Sequence, residues 1–327
     1  MRASIREVAR RAGVSVGTVS NVLNRPGVVS DATRVRVLAA IEELGFVRNE
    51  AARTLRQGSG RTLGVIVEDL ANPYFTDLGR GAEDASNTGG YDVIWCTSEG
   101  SPEKERRCLD FLEQQGVCGV VITPVALDAD RIARLRDRGV RAVLVDRRVP
   151  GAGACSVSVD HVQGGALAMR HLVELGRHDL AVVTAEPEAP PIRQRRGGAL
   201  RALNNSGYSP EQVLTIAETE PTVEAGQRAA RRLLEFGTLP GGVFCVNDLL
   251  AIGLVNELTR NGVKLPQDVA VVGYDDIAPA ATAVVPLTTV RQPSRELSRA
   301  AVGLLLEGAE NRHLVLAPEL VVRESAS

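Results

Sequence analysis

Between residues 62 and 274, short continuous apolar runs alternate with stretches of helical periodicity, and no other feature constrains the fold as strongly. The runs fall at 62–67, 91–96, 119–123, 142–146, 180–183, 213–216, 242–246 and 269–274. Helical spacing fills the intervals near 73–89, 102–115, 128–138, 161–175, 193–206, 222–236 and 248–262. Strands that are apolar on both faces belong inside parallel sheets covered by helices. The alternation runs through once and then restarts near residue 161, which predicts two α/β units with a cleft between them. Ligands of such sheets gather at the C-terminal ends of strands. Polar pairs stand there: Asp69 and Asn72, Asp146 and Arg147, Asn247 and Asp248, Asp275 and Asp276. About half of such residues should be caps or turns rather than ligand contacts, and Asp248 is read as the N-cap of its helix.

Other classes are disfavoured. No run approaches the roughly 18 apolar residues of a membrane helix, and no apolar stretch follows the first charged residues as in an export signal. A cytoplasmic protein is expected. Cys96, Cys108, Cys118, Cys155 and Cys245 are scattered and odd in number, so reduced thiols are expected rather than disulfides or a zinc site. His161, His171, His178 and His313 lack metal spacing and read as surface or internally satisfied residues. Phosphate-loop, dinucleotide-loop and nucleophile-elbow motifs are absent. The expectation is a binding protein, not an enzyme, with no resident cofactor.

Net charge is −2, but residues 1–60 carry +5 and the remainder −7. A basic head on an acidic body points to a polyanionic partner. Within the head, Ser4 and Glu7 fit a capping box. Gly13 stops a first short helix, and Ser15 starts a second running from Val16 to about Leu23. A third helix opens at Ser30-Asp31, carries Val35, Val37, Leu38, Ile41 and Leu44 at helical spacing, and ends at Gly45. Two short helices around a glycine turn form a helix-turn-helix. The second helix shows Val16, Gly17, Thr18, Ser20, Asn21 and Asn24, with no acid. Hydroxyls and amides of this kind suit phosphates and adenine edges in a major groove. The segment 49–56 is too short for a stable isolated helix and precedes the flexible 57–60.

The segments Ile5 to Ala9, Ala12 to Asn24, Val29 to Val35 and Ala40 to Phe46 resemble the head of the LacI/GalR repressor family, and the likeness continues to the C-terminus. The resemblance implies an α/β protein with a helix-turn-helix head (1–48), a hinge helix and linker (49–60) and a periplasmic-binding-protein-like body of two doubly wound parallel-sheet subdomains (61–327). Subdomain one would take about 61–158 and 291–316, and subdomain two about 159–290 and 317–327. Val16, Gly17 and Asn21 match base-reading positions; Thr18 and Ser20 match phosphate contacts, with Ser15 and Asn24 beside them. Leu55 matches the leucine wedged into the minor groove, where it would kink the duplex, with Arg53 and Arg56 along the phosphates. In the body, Tyr74 and Phe75 match residues bordering the effector, and Asp146, Arg195, Asn247 and Asp275 match pocket positions. Asp160, at the crossover between subdomains, is expected to join them.

An arginine fork facing carboxylates suits hydroxyl-rich ligands, so a sugar or nucleoside-like effector is expected. Pro221 stands where relatives often stack an aromatic residue, and the stretch 186–191 also departs from common members, which points away from a common hexose. The reading is a homodimeric repressor of a carbohydrate-utilisation operon that binds a pseudopalindromic double-stranded operator and is released by a sugar-like effector. The alternative is a corepressed regulator answering to a purine, a phosphorylated metabolite or a protein corepressor. The C-terminus carries no heptads, so a dimer is expected over a tetramer, without membrane attachment.

Overall fold

The computed structural model describes residues 3–46, 60–187, 189–209 and 213–327. Contacts divide the chain into Met1–Gly60 and Arg61–Ser327. The hinge positions Arg53, Leu55 and Arg56 lie outside the described residues.

The head holds α1 (Ile5–Ala12), α2 (Val16–Asn24) and α3 (Asp31–Glu43). Ser4 and Glu7 close the capping box that starts α1: Ser4 Oγ accepts from Glu7 N at 3.3 Å, and Glu7 Oε2 accepts from Ser4 N at 2.7 Å. Gly13 ends α1 in the left-handed region at φ 65°, a conformation open to glycine without a Cβ clash. Two residues later Ser15 Oγ accepts from Thr18 N at 3.1 Å and starts α2. Val8, Val19 and Val37, one from each helix, are fully buried, and Arg11 on α1 grips Glu43 on α3 with Nε to Oε1 at 3.0 Å. The spacing of α3 is corrected at two positions. Val35 and Leu38 are 64% and 49% exposed, while Val37 and Ala40 face the core. Ser15→Ala is expected to cost about 1 kcal/mol of head stability by orphaning the first N–H groups of α2; thermal melting of residues 1–60 followed by circular dichroism measures it.

The body contains two six-stranded sheets. The first is built from β1 (Thr62–Val67), β2 (Asp92–Thr97), β3 (Gly119–Ile122), β4 (Arg141–Val145), β5 (Cys155–Val159) and β11 (His313–Leu316), in the order β11-β5-β4-β3-β1-β2 and parallel throughout. The second uses β6 (Leu180–Ala185), β7 (Leu214–Glu218), β8 (Gly242–Cys245), β9 (Ala270–Asp275), β10 (Thr288–Arg291) and β12 (Glu319–Val321), ordered β12-β10-β9-β8-β6-β7. Among the described residues, only β12 runs antiparallel, against β10. The connecting helices are α4 (Pro73–Thr88), α5 (Pro102–Gln114), α6 (Ala129–Asp137), α7 (His161–Glu174), α8 (Pro190–Asn205), α9 (Val223–Glu235), α10 (Asp248–Arg260), the single turn α11 (Ala278–Ala281) and α12 (Ser294–Glu307). The α12 helix follows a strand of the second sheet yet packs on α4 and the first sheet.

The chain therefore passes between the sheets three times: after β5, after β10 and between β11 and β12. On the second sheet α7 and α8 approach closely because glycines face each other. A Cβ on Gly165 would lie 1.8 Å from the Arg195 carbonyl oxygen, and one on Gly198 would lie 2.0 Å from that of Val162. This contact sets the height at which α8 presents Arg195. Among the described residues, no helix is long and apolar enough to cross a membrane.

Candidate functional site

The strand order brings the C-terminal ends of β1, β3 and β4 opposite those of β6, β8 and β9. A cavity of about 410 Å³ lies between them. Tyr74, Phe75, Asp146, Arg195, Asn247 and Asp275 all line it, with Glu68, Asn72 and Arg147.

Asp146 follows β4 with φ 58°, and Asp275 ends β9 with φ 120°. Side chains rarely adopt these backbone conformations, and such strain collects at binding sites. Tyr74 OH donates to Asp146 Oδ2 at 2.8 Å, and His161 Nε2 lies 3.2 Å from Asp146 Oδ1. Arg195 Nε points at His161 Nδ1 at 3.4 Å. Since a guanidinium only donates, His161 Nδ1 accepts and Nε2 carries the proton given to Asp146. His161 Nδ1 also lies 3.3 Å from Tyr274 OH. Burial holds the His161 pKa below its usual value, against the pull of Asp146, so the ring is neutral near pH 7. Burial by itself would raise the Asp146 carboxyl, but His161, Tyr74 and Arg195 outweigh it and hold the group below the ordinary carboxylate range.

Arg195 is buried. Its Nη1 donates to the Val246 carbonyl at 2.8 Å and to Asp275 Oδ1 at 3.2 Å, and its guanidinium carbon sits 3.9 Å from the Tyr274 ring centre. Gln292 Nε2 donates to the same Asp275 oxygen at 2.7 Å, and Gln292 Oε1 is a buried acceptor with no hydrogen-bond partner among the described residues. Burial pushes the Asp275 carboxyl up to about 6, against the opposing pull of Arg195 and Gln292. The arrangement presents carboxylate acceptors and a guanidinium donor to one ligand, the chemistry that vicinal hydroxyls require.

The raised Asp275 pKa has two consequences of opposite sign. In the fold the group binds its proton more tightly than in the unfolded chain. Its contribution to stability is thus complete below about pH 4 and is lost as pH rises through about 6. A ligand hydroxyl donating to Asp275 would bond more strongly to the ionised carboxylate. Effector affinity is therefore expected to fall as pH drops from 7 to 5, and titration calorimetry across that range checks it; a flat profile removes Asp275 from direct contact.

Two positions behave differently from the sequence reading. Asp160 does not line the cavity: its carboxylate accepts from Gln163 N at 2.9 Å and caps α7. Asn247, not Asp248, caps α10, accepting from Leu250 N at 3.0 Å, while its amide donates to the Pro221 carbonyl at 3.0 Å. Asp248 is the first helical residue and turns inward, accepting from Ile277 N at 3.0 Å and Thr289 Oγ1 at 2.6 Å. Burial and the nearby Asp275 raise its pKa well above the usual range. His161, Tyr274 and Gln292 carry the network. The sequence reads His161 as a surface or internally satisfied residue, and it is buried and satisfied; Tyr274 and Gln292 are not among the site residues expected from sequence. No group of three or more His, Cys, Asp or Glu that could hold a metal occurs among the described residues.

In the head, α2 exposes Val16, Gly17 and Asn21. Thr18 and Ser20 are half-buried beside them. Ser15 and Thr18 share a hydroxyl contact at 2.9 Å, and Asn24 Nδ2 donates to the Ser20 carbonyl at 2.8 Å. The helix surface thus carries no acid, and its hydroxyls and amide are pre-oriented.

A small helical head with an acid-free exposed helix, attached to a two-sheet body with a polar cleft, defines a DNA-binding regulator with a small-molecule pocket. Residues 4–49 match bacterial regulatory proteins of the lacI family, and residues 169–326 match the periplasmic binding protein-like domain. The HTH-type transcriptional repressor PurR of Photobacterium profundum is 31% identical over 99% of this chain and 98% of its own. The lac repressor dimer bound to operator and the anti-inducer ONPF superposes with a TM-score of 0.86 at 26% identity, covering 100% of this chain and 99% of that one. The CelR–cellobiose complex gives a TM-score of 0.71 at 31% identity over 99% of this chain and 100% of that one. The chain belongs to the lacI family of bacterial regulatory proteins, and its relatives are transcriptional regulators.

Proposed function

We propose that this protein is a cytoplasmic, homodimeric repressor that binds a pseudopalindromic operator through α2 and lets go when a sugar-like effector enters the cleft. It acts by binding and carries out no catalysis, and it uses no cofactor. Val16, Gly17 and Asn21 read bases, and Ser15, Thr18, Ser20 and Asn24 meet phosphates. Two heads on a two-fold axis supply the contact area that one lacks. Asp146, Arg195, Asn247 and Asp275 hold the effector hydroxyls, with Tyr74 and Phe75 at its edge. The observation that carries the effector reading is the Asp146–His161–Arg195–Asp275 chain, whose Asp146, Arg195 and Asp275 line the cavity and offer both acceptors and donors.

The test is a thermal-shift screen against sugars, sugar phosphates and nucleobases, followed by titration of each hit into a complex with an operator selected in vitro. A ligand at 100 times its Kd stabilises by about 2.7 kcal/mol. A sugar that raises the melting temperature and releases DNA supports induction. A purine or phosphorylated metabolite that tightens the complex replaces it with corepression.

A further inference from the structure

Cys96 and Cys108 lie outside the cleft chemistry and meet on the face of the first sheet that α5 covers. Cys96 belongs to β2, an edge strand paired with β1 alone. Side chains alternate along a strand, so Cys96 shares a face with Ile94, and both pack on the cluster that holds Ile66, Leu109 and Leu112. Cys108 reaches the same cluster from α5, one position before Leu109. Its Sγ donates to the Thr97 carbonyl at 3.5 Å, one residue along from Cys96, and the two thiols hydrogen-bond with each other. Both are half-exposed free thiols. Cys155 and Cys245 are buried instead, and the half-exposed Cys118 turns to the Thr62 carbonyl at 3.4 Å.

Thiols in hydrogen-bond contact need only a modest side-chain movement to reach bonding distance. We infer that Cys96 and Cys108 are a redox-sensitive modification site, which hydrogen peroxide converts into an intramolecular disulfide tying β2 to α5. Burial and the neighbouring Cys108 push the Cys96 pKa up to about 12, so Cys96 keeps its proton near pH 7 and the first attack falls to Cys108. The Cys108 sulfur bonds to one peroxide oxygen as the O–O bond breaks, and the other oxygen leaves as water with the thiol proton. Cys108 is then a sulfenic acid. The Cys96 sulfur attacks it: the S–S bond forms, the S–O bond breaks, and the hydroxyl leaves with the Cys96 proton as a second water. The two sulfurs are oxidised and the peroxide is reduced. The bridge closes the loop 96–108, in which Glu99 and Gly100 turn at φ 48° and 67° and Gly100 lines the effector cavity. Oxidation therefore stiffens one wall of the cavity from outside it.

The experiment exposes the folded full chain to hydrogen peroxide, blocks the remaining thiols, and follows the product by peptide mapping in a mass spectrometer and by thermal melting. The expected product carries a Cys96–Cys108 bridge within one chain. Its melting temperature should rise by about 5 °C or more, because the bridge restricts the unfolded chain, and dithiothreitol should reverse both changes. Cys96→Ser should stop at a sulfenic acid on Cys108 that dimedone traps, and Cys108→Ser should leave the Cys96 thiol unmodified under the same exposure. Neither variant should melt higher after treatment. A bridge between two chains, or one to another cysteine, overturns the inference. So do thiols that stay free at an exposure that oxidises them in the urea-unfolded chain, a Cys108 that passes to sulfinic acid without bridging, or a bridged chain that melts no higher than the reduced one.

Discussion

Arg195→Ala is expected to abolish effector binding and to cost about 3–5 kcal/mol of body stability, because it strips a buried carboxylate of its partner. In a body of this size that corresponds to a drop in melting temperature of about 10 °C. The guanidinium serves four neighbours at once: the Val246 carbonyl, Asp275, His161 and the Tyr274 face. Removing it leaves Asp275 with Gln292 as its side-chain partner among the described residues. The size of the deficit should depend on pH. Without Arg195 the Asp275 pKa rises further above its unfolded value, so the variant gains relative stability below that pKa and loses it as pH climbs toward 7. Scanning calorimetry at pH 5 and pH 7 therefore separates a lost charge pair from a packing defect: a smaller deficit at pH 5 is expected, and equal deficits refute the electrostatic account. Arg195→Met keeps the packing against Tyr274 and should behave like alanine in binding but melt higher.

Gly198→Val should be nearly as damaging, although it touches no ligand. Its Cβ would lie 2.0 Å from the Val162 carbonyl, an atom of helix backbone that cannot turn aside. Overpacking of this kind costs about 1–3 kcal/mol, and more where neighbours cannot yield. The helices must separate, which lifts Arg195 away from Asp275, so effector affinity should fall along with stability. The neighbouring Gly197→Ala is the control. A Cβ there meets nothing within 4 Å, and replacing a mid-helix glycine should stabilise by about 0.5–1 kcal/mol. Parallel melting curves decide the matter; similar behaviour of the two variants would show that the α7–α8 contact is slack.

The architecture was legible wherever a signal was local. Capping serines announced α1 and α2, and apolar runs located eight of the strands. Strands β5, β10, β11 and β12 were not read because their evidence lies elsewhere in the chain. In β5, Ser156 and Ser158 interrupt the apolar pattern, and Ser156 is satisfied by His313 Nδ1 at 2.8 Å, a partner on β11. The same limit applies in the cleft. Asp146, Arg195, Asn247 and Asp275 stand at strand ends or in a recognisable motif, whereas His161 matters only because the fold sets Asp146, Tyr274 and Arg195 around it. Asp160 and Asp248 show that position alone does not assign a role: a carboxylate next to a helix start can cap it, as Asp160 does, or turn into the core, as Asp248 does.

The late return of the chain to its first sheet also bears on synthesis. Strands β1 to β5 leave the ribosome in sequence, but the edge strand β11 and the covering helix α12 come only after the whole of the second sheet's parallel core. About 150 residues separate the end of β5 from the start of β11. At about 5–20 residues per second, translation leaves the nascent first sheet with an open edge and a bare apolar face for roughly ten to thirty seconds. That interval is when newly made chains are most exposed to strand exchange with one another, and it makes the body's yield sensitive to growth temperature and chaperone supply.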